Sequence, residues 1–323
     1  MSDKAFIYTM MEKVLDGQNV CFDEALRLSL STDFSSLTDA AKTITRRYCG
    51  DLVDVEALIN AKSGACPEDC TFCAQSSFYE TGITKYALLP PEVILDKAME
   101  ARNSGAKSFC IVGAYRSPPE ADFLRICQII KVLKRNVDID VNVSLGFMTI
   151  ERARKLKALG VKRYNHNLET SESHFSSICR THDFQERINT ARIVKEAGLQ
   201  LCCGGIIGIG ETPIQRLELA FSIASLQADE VPINILITRK GTPLYNLAPL
   251  GPSDAIRTIS VWRFIMPRAI IKIAGGREVH LKDKDKLALN SGANGIITGG
   301  YLTSGGNSAA KDILSIKEIG LKV

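Results

Sequence analysis

The 323 residues predict an α/β chain folded as a (β/α)8 barrel behind an N-terminal helical extension, and three observations carry that expectation. Short apolar strands alternate with amphipathic helices from about residue 53 onward. Eight strands fall within roughly 250 residues, the count and length of a closed barrel. Glycine-bearing segments such as Asn103-Ser104-Gly105-Ala106 and Ala197-Gly198-Leu199 end helices just before strands, where a left-handed cap belongs. Strict alternation implies a parallel sheet, with a doubly wound open sheet as the structural alternative.

Residues 1–48 read as the helical extension and 49–323 as the barrel domain. In the extension, Phe6, Tyr8, Met10, Met11 and Val14 recur near helical spacing, and residues 23–30 and 37–42 repeat the pattern. The barrel strands are read at Val55–Ala61, Ser108–Gly113, Ile139–Leu145, Arg163–Leu168, Leu201–Ile209, Pro232–Ile237, Ile270–Ala274 and Gly295–Ile297. Helices between them include Pro91–Ser104, Ala121–Arg135, Ile150–Leu159 and Phe184–Ala197. Chemistry is therefore expected at the C-terminal ends of the strands.

Composition narrows the class. With 45% apolar and 24% charged residues the chain can bury a large core, which excludes wholesale disorder. The 40 basic and 36 acidic side chains are interspersed, so no basic stripe argues for nucleic acid. Apolar runs stop short of the roughly 18 residues a membrane helix needs, so no membrane partner is expected. The polar N-terminus lacks a signal-peptide core, which points to the cytoplasm, where thiols stay reduced. Ten cysteines in such a compartment need a use other than disulfides.

The first strand is followed by Ser63-Gly64-Ala65-Cys66-Pro67-Glu68-Asp69-Cys70-Thr71-Phe72-Cys73-Ala74-Gln75-Ser76. Polar neighbours argue against buried filler. A closed zinc site wants a fourth ligand, and no second local pair follows. Redox use of the Cys70/Cys73 pair leaves Cys66 idle. Closely spaced thiolates also hold iron–sulfur clusters, and three of them leave one iron open. Further along, Gly204-Gly205-Ile206-Ile207-Gly208-Ile209-Gly210-Glu211 fails as a dinucleotide fingerprint, since Pro213 stands where the third glycine belongs. In Tyr164-Asn165-His166-Asn167-Leu168-Glu169, alternation places Asn165, Asn167 and Glu169 on one face and His166 on the other. Two amides and a carboxylate on one barrel face are costly unless they bind something polar or cap neighbouring strands. Asn234 places one amide in an apolar strand, where backbone alone can satisfy it.

The triplet, with an aromatic before its last cysteine, resembles the radical S-adenosylmethionine superfamily signature, and the longer string resembles the biotin synthase family. The resemblance runs from about residue 48 to the end. It implies a [4Fe–4S] cluster on Cys66, Cys70 and Cys73 whose open iron takes S-adenosylmethionine. It further implies S-adenosylmethionine contacts from Gly208, Glu211, Glu169 and Arg187, with Tyr115 in the Val112-Gly113-Ala114-Tyr115 stretch after the second strand. Glu169 is a mild departure from the aspartate most members carry. Asn165, Asn167 and Asn234 are implied as ligands of dethiobiotin.

In that family a sulfur-donating auxiliary cluster lies deep in the barrel on three cysteines and an arginine. The resemblance assigns Cys110, Cys202 and Arg277 to it, but Asn142 stands where the remaining cysteine is expected. Asparagine is a poor substitute for a soft thiolate. Two extra thiols, Cys179 and Cys203, are therefore expected to join Cys110 and Cys202 around a larger sulfide-bearing cluster such as [4Fe–5S]. The alternative is a weak [2Fe–2S] site with both as bystanders. Period two sends Cys202 and Cys203 to opposite faces unless the backbone bends. Cys21, Cys49 and Cys127 are read as packing residues.

The activity so implied is radical sulfur insertion into dethiobiotin to give biotin, a sulfurtransferase reaction. The alternative is a related radical enzyme, a cofactor maturase or mutase, with another substrate. A reducing donor such as flavodoxin or ferredoxin, a sulfur source that rebuilds the auxiliary cluster, and a homodimer complete the implied partners.

Overall fold

The computed structural model describes residues 1–303 and 305–323 and, at Asp283, the backbone alone. Three helices come first, α1 (Asp3–Leu15), α2 (Phe22–Leu30) and α3 (Phe34–Cys49). Ser2 and Asp33 cap α1 and α3 through side-chain oxygens, as helix starts require. α1 packs on α3, which packs in turn on α10 (Pro252–Ile265), so the extension and barrel share one apolar core from Phe6 to Leu321.

The sheet strands are β1 (Asp54–Lys62), β2 (Ser108–Gly113), β3 (Asp140–Ser144), β4 (Arg163–Asn165), β5 (Gln200–Cys202), β6 (Gly205–Ile207), β7 (Glu230–Ile235), β8 (Ile270–Ile273) and β9 (Gly295–Thr298). All pair in parallel, in the order β5-β4-β3-β2-β1-β9-β8-β7-β6. Both β5 and β6 pair with β7, which closes the ring, so these two short strands share one of eight positions. The fold is the closed barrel, and the doubly wound alternative is excluded.

The strand expected at Leu201–Ile209 is broken in the middle for a steric reason. A Cβ at Gly204 would stand 1.9 Å from the carbonyl oxygen of Pro232. The chain passes so close to β7 there that only glycine fits. The strand expected at Arg163–Leu168 stops at Asn165, and Glu169 beyond it takes a left-handed φ of 69°. Backbone pairing nonetheless continues, from His166 N–H to Cys202 O (2.8 Å) and from Ile206 N–H to Glu169 O (2.8 Å). No helix among the described residues is long and apolar enough to cross a membrane.

Candidate functional site

A cavity of about 320 Å³ runs down the barrel from the strand C-termini, lined at its rim by Cys66, Cys70 and Cys73 and at its floor by Cys110, Cys202, Glu56 and Glu230. The rim loop leaves β1 through Gly64 (φ 72°) and Ala65 (φ 52°), a pair of left-handed residues that turns the chain over the barrel mouth. Backbone bonds then fix its shape: Cys66 N–H donates to Gln75 O (3.0 Å), Ser77 N–H to Cys66 O (2.8 Å), and Cys73 N–H to Cys70 O (3.0 Å). Two acids inside the loop bolt it to residues 178–182. Asp69 Oδ1 accepts from Arg180 N–H (2.8 Å) and Thr181 N–H (3.1 Å), while Glu68 pairs with Arg116 (2.8 Å) and His182 (2.5 Å). Burial pushes the Cys73 thiol up to about 11 and raises Cys66 as well. A hydrogen bond to Cys179, and then burial, raise Cys70.

The walls carry the amides. Asn167 Oδ1 accepts from Gly204 N–H (3.0 Å), and Asn234 bridges Gly275 N–H (3.0 Å) and Gly205 O (3.2 Å). Asn165 differs: its Nδ2 touches Cys110 Sγ (3.5 Å), and its buried Oδ1 has no partner among the described residues. Arg187 reaches over from α8 (Phe184–Glu196), donating to Asn167 O (2.9 Å) and His182 Nε2 (3.0 Å) with Glu169 3.8 Å away. Burial raises the Glu169 carboxyl above its ordinary value. Tyr115 lines the rim with its hydroxyl on Asp122 (2.8 Å).

The floor is ionic. Lys272 Nζ lies 2.8 Å from Glu56, 2.9 Å from Glu230 and 2.9 Å from Asp54, and Arg163 Nη1 lies 2.7 Å from Glu230. Burial pulls the Lys272 ammonium down, but the three surrounding carboxylates push it well above its ordinary value, so it is charged. Burial first, then Glu56 and Glu230, push the thiols of Cys110 and Cys202 well above theirs.

Two family models cover most of the chain, the Radical SAM superfamily over residues 61–223 and the Biotin and Thiamin Synthesis associated domain over 232–322. The biotin synthase of Nitrosopumilus maritimus (strain SCM1) is 50% identical over 100% of this chain and 99% of its own. That of Carboxydothermus hydrogenoformans is 43% identical over 98% and 99%. The chain belongs to the biotin synthase family. Among solved structures, methylornithine synthase superposes with a TM-score of 0.86 at 20% identity, covering 97% of this chain and 96% of its own. The FeFe-hydrogenase maturase from Carboxydothermus hydrogenoformans follows with a TM-score of 0.83 at 17% identity, covering 98% and 78%. At those identities both speak to the fold alone.

Set beside what membership of the biotin synthase family led one to expect, the structure moves several residues. Cys179 is not at the floor. It stands at the rim, 3.9 Å from Cys70 Sγ and 3.3 Å from both His182 Nδ1 and Asp69, because the loop after α7 (Glu172–Phe175) folds onto the triplet loop. The ligand atoms of Cys70, Cys179 and His182 all lie within 4.8 Å of one another. The hydrogen bond from Cys70, then those of His182 and Thr181, bring the Cys179 thiol down to about 4. Cys203 points into the apolar core between sheet and helices, and burial lifts its thiol to about 12. The bend at Gly204 comes one residue too late to turn it inward.

Arg277 is also absent from the cavity lining. It opens α11 (Arg277–His280), buried in a pocket of acids that includes Asp312, Asp285 (3.5 Å) and Glu278 (3.3 Å). Gly208 and Glu211 likewise stay outside the lining: Glu211 accepts from Gly208 N–H (2.8 Å) and Ile209 N–H (2.7 Å) and pairs with Arg216 (2.5 Å), so it shapes its own loop. His166, expected on the opposite face from Asn165, lines the cavity too, since the strand ends at Asn165 and alternation ends with it. Asn142 is held by Glu56 (2.6 Å) and the Arg163 N–H (3.1 Å) and makes no gap in the floor. Cys21 is exposed; Cys127 is buried and Cys49 half-buried.

The sequence reading missed Glu56, Glu230, Lys272, Arg163 and the rim pair Glu68–Arg116. The floor residues had a signal: single charges inside the apolar strings Val55-Glu56-Ala57-Leu58 and Ile270-Ile271-Lys272-Ile273. A charge at an inward strand position needs a partner on a neighbouring strand.

Proposed function

We propose that this chain converts dethiobiotin to biotin, using S-adenosylmethionine and two iron–sulfur groups. The observation that carries the reading is one cavity with three thiols at its rim, two at its floor and, between them, an amide oxygen without a partner among the described residues. The donor sets fit the groups: soft thiols stand together at the rim and again at the floor. When bound, a [4Fe–4S] cluster with S-adenosylmethionine supplies the hydrogen-abstracting radical, and an auxiliary cluster supplies the sulfur.

The residues do the rest. Cys66, Cys70 and Cys73 hold the rim group, and Glu68 and Asp69 keep their loop in place. Glu169 and Arg187 stand beside them to take the polar groups of S-adenosylmethionine, and Tyr115 closes one side. Asn165 Oδ1, which lacks a donor among the described residues, takes an N–H of the ureido ring, since a buried carbonyl oxygen left alone costs about 1–3 kcal/mol. Asn167 and Asn234 are held by backbone and position the wall. Leu58, Val112, Ile235 and Ile297 complete an apolar lining that keeps water from a reactive radical. Because the floor thiols are protonated when free, loading iron there releases protons. A low-potential donor such as flavodoxin or ferredoxin supplies electrons.

Anaerobic incubation with S-adenosylmethionine, a reductant and dethiobiotin, followed by assay for biotin and 5′-deoxyadenosine, tests the reading. Both products are expected. Deoxyadenosine without biotin would remove the substrate assignment; neither product would remove the radical chemistry as well.

A further inference from the structure

The floor presents two thiols where a cluster needs more ligands, and the hydrogen bonds around it say which group is free to act as the next one. Asn142 lies level with Cys110 on the neighbouring strand, but both ends of its amide are taken, by Glu56 at 2.6 Å and by the Arg163 N–H at 3.1 Å. Glu56 is taken too: Oε1 accepts from Asn142, and Oε2 from Lys272 at 2.8 Å. Glu230 is different. Its Oε2 faces both cations, Lys272 Nζ at 2.9 Å and Arg163 Nη1 at 2.7 Å. Its Oε1 has one contact only among the described residues, the thiol of Cys202 at 3.1 Å.

That oxygen therefore points at a thiol, inside the cavity, with no cation on it. Once Cys202 gives its proton up to bind iron, Oε1 loses its one donor. A fully buried carboxylate oxygen without a partner is costly. The arrangement agrees: three carboxyl groups, Asp54, Glu56 and Glu230, surround two cations, Lys272 and Arg163, one cation short of a match. A metal ion beside Cys202 answers both requirements. Register places Cys202 directly opposite Glu230, so one iron reaches both without any movement of the strands.

We propose that Glu230 Oε1 is an oxygen ligand of the auxiliary iron–sulfur group, which is thus held by Cys110, Cys202 and Glu230. The inference rests on the reading above that these thiols carry an iron–sulfur group. Lys272 and Arg163 neutralise the other carboxylate oxygen and hold the side chain aimed at the metal. The thiol expected at position 142 is then replaced from β7 instead of by Cys179 or Cys203.

The test is anaerobic reconstitution of the full chain with 57Fe and sulfide, as wild type, Glu230→Gln and Glu230→Cys, read by iron and sulfide content and by Mössbauer spectroscopy. The rim cluster serves as internal reference. In the wild type, one auxiliary iron is expected to show the higher isomer shift of mixed oxygen–sulfur ligation. Glutamine keeps the shape and the bonds from Lys272 and Arg163 but loses the anionic oxygen. Glu230→Gln should therefore hold auxiliary iron roughly tenfold less well against a chelator while rim iron stays. Glu230→Cys should retain the iron and shift that subspectrum to all-sulfur values. An all-sulfur auxiliary spectrum in the wild type, or full auxiliary iron with an unchanged spectrum in Glu230→Gln, overturns the proposal. A wild type that takes up no iron beyond its rim cluster overturns the proposal and the reading beneath it together.

Discussion

The three rim thiols come from one loop, residues 66–73, whereas the two floor thiols stand on β2 and β5, at positions 110 and 202. The rim is shaped locally. Left-handed turns at Gly64 and Ala65, short backbone bonds and two acids fixed to residues 178–182 present the sulfurs. The floor exists only once the barrel has closed, because its groups are spread over β1, β2, β3, β4, β5, β7 and β8. Its polar groups answer one another across the ring, Glu56 from β1, Asn142 from β3, Arg163 from β4, Glu230 from β7 and Lys272 from β8. A loop can change its ligands without disturbing the barrel. A strand-borne site cannot lose one charge without leaving another unpaired.

The largest effect is expected from removing a rim thiol. Cys73→Ala should abolish 5′-deoxyadenosine formation, since two thiols cannot hold the cluster open to S-adenosylmethionine. Its counterpart at the floor, Cys110→Ala, should keep deoxyadenosine formation and lose biotin. Product analysis of the two variants side by side checks the division. Biotin at normal rates from Cys110→Ala would break it.

Next comes Lys272→Met, which strikes the floor's charge balance. Among the described residues it leaves Glu56, Glu230 and Asp54 with Arg163 as their remaining cation at the floor, and breaking a buried pair costs about 3–5 kcal/mol. The denaturant midpoint of the cluster-free protein measures it. A loss below about 1 kcal/mol, the scale of an exposed ion pair, would mean that the floor carboxylates are held neutral.

A smaller effect belongs between rim and floor. Asn165→Ala removes the wall amide whose oxygen has no partner among the described residues and should raise the KM for dethiobiotin roughly tenfold, about 1.4 kcal/mol, with the S-adenosylmethionine dependence unchanged. A KM that stays put would shift ureido recognition to Asn167 or Asn234.

The same contrast explains what was readable in the chain. The barrel was legible because period-2 and period-3.6 patterns are local, and helices expected at Pro91–Ser104 and Ile150–Leu159 are found at Pro91–Asn103 and Ile150–Ala158. The rim triplet was legible because its spacing lies within eight residues. The floor was only half legible. Cys110 and Cys202 stood out as thiols, but the partners that Glu230 and Lys272 find are set by strand register, which one sequence does not display. Cys179 misled for the same reason: it follows the fourth strand, yet the fold lays its loop on the first strand's exit.

Cys179 also gives the smallest expected effect and the sharpest check on the division. Serine in its place keeps a donor and acceptor for Asp69, His182 and Thr181, its neighbours at 3.3–3.5 Å. If Cys179 belongs to the rim as a neighbour of Cys70, Cys179→Ser should leave auxiliary iron and sulfide at wild-type levels. Its cost should be confined to the rim, where one thiol contact beside Cys70 changes length and polarity. Iron and sulfide analysis of the reconstituted variant decides this. A loss of auxiliary iron matching that of Cys110→Ser would place Cys179 at the floor in the loaded protein. It would then require residues 178–182 to leave Asp69 and Glu68, whose hydrogen bonds hold that loop to the rim.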